Sequence, residues 1–253
     1  TSDALIKSHL PDNMNFSFNK TAIINASRWY GHIPGKVRKG DGFLGEERSL
    51  WAFMAGRSGS ASFASGVRRT RDFNQRDKGP RSAFLMLYSS WHGDWNVDDA
   101  FLRACLASPE GGLAAMSALV GPWHLQSLGR GECLAYGYLQ SANQRPQSAT
   151  RALAVLGDPT LGNYFTSAVL GLKMSLAGTS RQLNWSLPIL SNVEGIYVYK
   201  FELDQSKCVV LDSLAPQITH WTMPEETPVG AKFMVRIGEW KQSASGVFAH
   251  LSQ

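Results

Sequence analysis

Three apolar stretches that do not alternate with polar residues constrain this chain most. They are residues 49–55 (SLWAFMA), 83–88 (AFLMLY) and 112–120 (GLAAMSALV). A strand with one face in water alternates polar and apolar positions. A strand covered on both faces reads as a continuous apolar run, as in a parallel sheet between helical layers. Each run stops at turn-forming residues: Gly56-Arg57-Ser58-Gly59-Ser60, Ser89-Ser90-Trp91-His92-Gly93-Asp94, and Gly121-Pro122. In a sheet of this kind ligands bind beyond the carboxyl ends of the strands. Those stops, with Trp123, therefore mark the expected functional edge.

Helical signals separate the runs. Asp98 is placed to cap a helix over 99–107, with Ala100, Ala104 and Leu106 inward and Pro109-Glu110-Gly111-Gly112 ending it. Residues 123–140 carry Leu125, Leu128, Cys133 and Tyr136 at mostly helical spacing, interrupted by glycines. Residues 151–156 read as a further strand, ended by Gly157-Asp158-Pro159. Strand and helix in alternation imply an α/β domain with right-handed crossovers. Before these elements, residues 15–25 read as a short strand and the glycine-rich stretch 31–45 as loop. That amino-terminal region looks too short for a full half-sheet, which implies a reduced sheet or a missing upstream segment. A first residue Thr1 implies a processed or excised chain.

After Phe165 the pattern changes. Seven short strands are expected at 169–177, 182–187, 195–202, 207–211, 217–223, 231–240 and 245–252, with Pro188, Asn192, Pro216, Pro228 and Gly230 between them. Phe233, Val235 and Ile237 alternate strictly. Short, evenly spaced strands imply a β-sandwich. The domains are accordingly 1–166 and 167–253.

Composition narrows the class. Apolar residues make up 43% and charged residues 18%, which excludes disorder. No apolar run reaches the ~18–20 residues of a membrane span. The net charge is +5, with Arg68, Arg69, Arg71, Arg76, Lys78 and Arg81 clustered in a solvated basic loop. No nucleic-acid-binding motif accompanies them, so no nucleic-acid partner is expected. The three cysteines, Cys105, Cys133 and Cys208, are too widely spaced for a disulfide framework or a zinc site and read as core thiols. Asn15, Asn19, Asn25 and Asn184 stand in Asn-X-Ser/Thr sequons, relevant only in a glycosylating host.

Three segments taken in order carry a resemblance. They are Tyr88-Ser89-Ser90-Trp91-His92-Gly93-Asp94-Trp95, Phe101-Leu102-Arg103-Ala104 and Val155-Leu156-Gly157-Asp158-Pro159-Thr160-Leu161. Together they resemble the gingipain-type cysteine peptidases of the caspase-like clan and the large secreted bacterial proteins related to them. Downstream, Leu183-Asn184-Trp185, Gly195-Ile196-Tyr197-Val198-Tyr199 and Phe233-Met234-Val235-Arg236 resemble a fibronectin type III module. The resemblance implies a caspase/gingipain-like α/β domain with a carboxyl-terminal all-β fibronectin type III-like sandwich. It also implies a histidine, usually in a His-Gly pair, after one strand and a nucleophilic cysteine after the next. The thiolate attacks the peptide carbonyl and backbone amides hold the oxyanion.

This chain departs from that pattern. The histidine position after residues 49–55 holds Gly56-Arg57-Ser58-Gly59-Ser60. The cysteine position falls at Ser89 or Ser90. Serine without a base stays protonated and is a poor nucleophile. A rebuilt site would use Ser90 as nucleophile, His92 as base two residues on, and Asp94 to orient the imidazole. Asp94, Asn96 and Asp98, with Asp99, form the candidate calcium ligands, although the spacing is not an EF-hand. No other cofactor is expected. His124 reads as a structural hydrogen-bonder and Asp158 as a turn former. Trp185, Tyr197, Tyr199 and Phe233 read as sandwich core.

Three functions follow. The first is a non-catalytic structural or interaction protein, secreted, periplasmic or on the cell surface, with other proteins of an extracellular or envelope assembly as partners and an oligomer compatible. Its route to partners would be strand addition at residues 245–252. The second is an active hydrolase using Ser90. The third is a glycan- or peptide-binding module built on Trp91, Trp95 and Trp123.

Overall fold

The computed structural model describes residues 2–8, 16–31, 37–38, 48–63, 68–74, 79–94, 96–109, 112–118, 123–144, 153–202 and 207–252. The chain divides into two compact units. One comprises Thr1–Asn163 with Ser243–Ser245, the other Tyr164–Gln242 with Gly246–Gln253.

The first unit is built on a six-stranded sheet: β1 (Ser2–Ser8), β2 (Val37–Arg38), β3 (Ser49–Ala55), β6 (Ser82–Tyr88), β7 (Ala114–Ala118) and β8 (Leu153–Gly157), in the order β2-β1-β3-β6-β7-β8. Between β3 and β6 the short strands β4 (Ser62–Phe63) and β5 (Arg68–Arg69) form a separate antiparallel pair. Pairing is parallel from β2 to β7. The continuous apolar runs occupy the middle of the sheet because both of its faces are covered.

Alternate residues of those strands feed two cores. Trp51, Phe53, Phe84, Met86, Ala114 and Met116 pack on one face; Ala52, Met54, Leu85, Leu87 and Ala115 pack on the other. The first face carries an aromatic stack, with Trp51 4.7 Å from Phe84 and Trp29 4.7 Å from Trp51. Burying each such ring contributes about 2–3 kcal/mol. Polar tips are satisfied: Trp29 Nε1 donates to the Leu125 carbonyl at 3.0 Å and Trp51 Nε1 to Asn163 Oδ1 at 2.6 Å.

Several expectations are corrected here. Residues 15–25 are not a strand but part of α1 (Phe16–Tyr30). Among its described side chains Thr21, Ala22, Asn25, Ala26 and Trp29 are buried. That spacing is helical, but Thr21 and Asn25 hide it from an apolar reading. Asn25 is polar and fully buried because its amide bridges a neighbouring segment. Nδ2 donates to the Trp123 carbonyl and Oδ1 accepts the Leu125 N–H, both at 3.1 Å. It is therefore no glycosylation site in the folded chain. The amino-terminal region supplies β1 and β2 to the sheet.

β8 runs antiparallel to β7, although the alternating pattern implied parallel strands throughout. Helix α2 is Phe101–Leu106, and its N-cap is Ala100 rather than Asp98. Its fully buried residues are Phe101, Leu102 and Cys105, while the expected Ala104 and Leu106 are partly buried against the same core and Ala100 is buried. The expected helix 123–140 is split. A 3-10 turn at Gln126–Arg130 ends at Gly131, whose φ of 85° suits glycine, and α3 begins anew at Leu134–Asn143. The basic segment is not a plain loop, since Arg68 and Arg69 form β5 and Arg71 lies in a 3-10 turn at Thr70–Asn74. Arg76 and Lys78 lie outside the described residues.

The second unit contains two antiparallel sheets. One has the order β13 (His220–Thr222), β10 (Ser180–Ser186), β9 (Leu170–Ala177). The other has the order β12 (Lys207–Leu214), β11 (Val193–Glu202), β14 (Lys232–Ser243), β15 (Gly246–Leu251). They share one core of Leu183, Trp185, Ile196, Val198, Trp221, Met223, Val235 and Ile237. Tyr197 and Tyr199 are not part of it. They alternate with Ile196 and Val198 and so point to the opposite face. Cys208 is exposed rather than a core thiol. Among the described residues no helix is long and apolar enough to cross a membrane.

Candidate functional site

β3, β6 and β7 lie side by side and end level with one another, as Ala55 pairs with Tyr88 and Tyr88 with Ala118. Their exits form the carboxyl edge of the sheet. Of the three expected exit loops, Gly121 and Pro122 lie outside the described residues. The other two can be followed atom by atom.

From β3 the chain passes through Gly56, whose N–H donates to the Tyr88 carbonyl at 3.2 Å. Arg57 is exposed and Ser58 is half-buried, its Oγ directed to the Gly56 carbonyl. The excursion then folds into the β4–β5 pair, with Ser62 opposite Arg69. From β6 the chain enters Ser89, which is buried and anchored by its N–H to the Ala118 carbonyl at 3.2 Å. Ser89 Oγ donates to the Ser90 carbonyl, and Ser90 is half-buried.

Trp91 follows with φ of 67° and 64% exposure. Positive φ is strained for a bulky residue and persists only where the surroundings over-determine it. The determinants lie on both sides. Ser89 is held to β7, the Asp94 N–H closes a turn on the Trp91 carbonyl at 3.1 Å, and His92 is locked inward.

His92 is 1% exposed. Its Nε2 meets the Ser62 carbonyl at 3.2 Å and its ring stacks on Phe101. Burial drives its pKa down to about 4, opposed by the bond to Ser62. At neutral pH the ring is uncharged, so Nε2 carries the proton and donates it to that carbonyl. A catalytic base needs an accepting nitrogen turned toward its nucleophile. Here Nε2 is committed to the neighbouring excursion, which leaves the buried Nδ1 as the accepting nitrogen, and the ring ties the β6 exit to the β3 exit. The start of α2 joins the same knot, as the Phe101 N–H donates to the Ser60 carbonyl at 2.7 Å.

Asp94, Asn96 and Asp98 are exposed. Asp98 offers its backbone carbonyl, with that of Val97, to the Arg103 guanidinium. Among the described residues no three His, Cys, Asp or Glu side chains converge as a metal-binding group. Trp95 lies outside the described residues. Trp123 is 1% exposed, so it is core and not part of a surface aromatic stripe. His124 uses its backbone N–H to bond Ser141 Oγ at 2.8 Å. Cys105 is buried in α2 and its thiol is pushed far up in pKa by desolvation, so it holds no reactive thiolate.

The Gly157-Asp158-Pro159-Thr160-Leu161 segment has a structural role. Asp158 Oδ1 accepts the Thr160 N–H at 2.9 Å and its hydroxyl at 2.7 Å, and these bonds hold the carboxyl below its ordinary pKa. The carbonyls of Leu161 and Pro159 then accept the N–H groups of Leu134 and Ala135, capping α3. Reading the residues in order missed the partners of His92, Ser62 and Phe101. Neither carries a distinguishing local signal, and they meet His92 only through the fold.

No protein-family model matches this sequence, and no curated protein matches it. Solved structures do. The crystal structure of the Arg-specific cysteine proteinase gingipain R superposes with a TM-score of 0.51 at 9% identity. The alignment covers 99% of this chain and 66% of that one. A complex of the pro- and mature domains of the Porphyromonas gingivalis enzyme gives a TM-score of 0.49 at 12% identity, over 99% of this chain and 68% of that one. This chain thus spans 66% of the length of the gingipain R structure it resembles in fold.

Proposed function

We propose that this chain is a non-catalytic structural or interaction protein of the extracellular space or cell envelope, built on a degenerate gingipain-like peptidase domain and a fibronectin type III-like module. One observation carries the reading. The exits of β3 and β6, where the resemblance places a histidine and a cysteine, hold Gly56-Arg57-Ser58 and Ser89-Ser90, and the nearby His92 is buried against Phe101 with Nε2 on the Ser62 carbonyl. Attack by the Ser90 hydroxyl would need a base, and the Nε2 of His92 is held on a backbone carbonyl, which favours the non-catalytic reading. The three-plus-four strand order and single shared core of the second unit support the fibronectin type III reading.

A second reading, a glycan- or peptide-binding module on the same edge, is favoured by the strained and exposed Trp91.

The test is hydrolysis of a mixed peptide library by the purified chain, with calcium and reductant and with Ser90→Ala beside it. No cleavage by either protein is expected. Cleavage by the parent that is lost in Ser90→Ala would overturn the proposal in favour of a rebuilt serine site.

A further inference from the structure

A sheet edge is a row of unpaired backbone donors and acceptors, and proteins guard it by shortness, charge or cover. The second unit has four edge strands, and three are guarded. β13 is only three residues long. β12 carries charge along its length: Lys207 pairs with Glu202 at 3.7 Å, and Asp212 accepts Trp221 Nε1 at 2.9 Å. β15 is overlaid by its own chain. Tyr164 packs edge-on against Phe248 at 5.0 Å, Thr166 Oγ1 lies 3.0 Å from His250 Nδ1, and Arg236 of β14 bonds the carbonyls of Leu251 and Ser252.

β9 is less guarded: it is eight residues long, carries one charge, Lys173, and among the described residues pairs only with β10. All eight of its residues are exposed. Met174 stands directly opposite Leu183, which is 5% exposed and part of the core. Leu172, Met174 and Leu176 therefore share the core-side face by strand alternation. They remain 39%, 57% and 72% exposed, and no residue of β9 belongs to the shared core. The opposite face is polar, with Asn184 Nδ2 donating to Ser175 Oγ and Gln182 Nε2 to Thr222 Oγ1. Among the described residues β9 thus has a polar face, an exposed apolar face and an unpaired edge.

We propose that β9 pairs with β9 of a second copy of this chain, antiparallel across a two-fold axis, joining the two three-stranded sheets into one of six strands. Self-pairing is isologous, so the segment must complement its own reverse. An axis through Met174 sets Leu172 on Leu176, Met174 on Met174, and Lys173 on Ser175. Shifting the axis to Lys173 would set two like charges opposite each other, which is unfavourable.

The area decides the strength. One such strand laid on its copy covers on the order of 400 Å² per protomer, about half of one side of a standard interface. A contact this small belongs with weak, reversible association. This inference does not depend on whether the sheet edge of the first unit is catalytic.

The test uses the full chain in a Cys208→Ser background. Sedimentation from micromolar to several hundred micromolar should show a monomer–dimer equilibrium, and Leu176→Lys, at an exposed position, should hold the chain as a monomer. Met174→Cys should form a disulfide dimer under mild oxidation at least tenfold faster than Val210→Cys on the β12 edge. A monomer at every concentration, or equal cross-linking at the two positions, overturns the proposal. A dimer unaffected by Leu176→Lys also overturns it and places the contact elsewhere.

Discussion

The imidazole of His92 lies almost flat on the ring of Phe101, with centroids 4.8 Å apart and planes 10° apart. One ring comes from the loop leaving β6, the other from the first turn of the following helix. The contact makes His92 a structural pin, and its protonation state becomes a stability term.

His92 has an ordinary pKa of 6.5 and a folded value of about 4. The unfolded chain binds the proton more tightly, so the neutral ring's contribution is complete above about pH 6.5. It is lost as pH falls from 6.5 toward 4. The full difference corresponds to about 3 kcal/mol. Denaturant unfolding at pH 7.5, 5.5 and 4.0 should show this decline. His92→Gln should be less stable at pH 7.5 and should show a shallower loss over the same window. Equal pH slopes in the two proteins would contradict the pin.

Asn25 joins α1 to the segment entering the 3-10 turn through one donated and one accepted bond, both buried. Replacing it by Ala should destabilise the chain by about 2–4 kcal/mol, since the Leu125 N–H and Trp123 carbonyl lose their partners. Chemical denaturation at pH 7 measures this. Asn25→Asp keeps an acceptor for Leu125 but sets a carboxylate against the Trp123 carbonyl, and should cost at least as much.

Gly157 has φ of 106°, and a Cβ there would collide with the Leu113 carbonyl oxygen. Gly157→Ala should cost more than about 2 kcal/mol from backbone strain and displacement of β7. Because the turn after Gly157 caps α3, amide exchange at Leu134 and Ala135 should rise in the same variant. Unchanged exchange there would separate the turn from the helix.

Trp91 carries strain that only a residue without Cβ relieves. Trp91→Gly should be more stable than Trp91→Ala by about 1 kcal/mol, the reverse of the usual order for these two residues. Thermal unfolding of the pair reads this directly.

Much of the architecture was legible in order along the chain. Residues 49–55, 83–88 and 112–120 announced buried central strands because burial on both faces leaves no polar positions. The seven strands of the second unit were visible because alternation and turn residues act over a few residues. What escaped was α1, whose buried face includes Thr21 and Asn25, and the direction of β8. Strand direction leaves no mark on a five-residue apolar run. Whether β8 pairs parallel or antiparallel depends on where the crossover returns the chain.

The candidate site divides in the same way. Ser89, Ser90, Trp91 and His92 at the end of β6, and the absence of histidine after β3, are properties of the sequence alone. They leave no cysteine or histidine at the two positions where the resemblance implies them. Only the tertiary structure decided what His92 does. Spacing allowed it to face Ser90, and the fold sets its ring on Phe101 and its Nε2 on the Ser62 carbonyl. A buried imidazole goes where its polar nitrogen finds a partner and its ring finds cover. Those partners sit 30 residues before it and nine after it. The same holds for β9. Its apolar alternation is written in the sequence, but its exposure among the described residues follows from how two sheets of unequal width share one core.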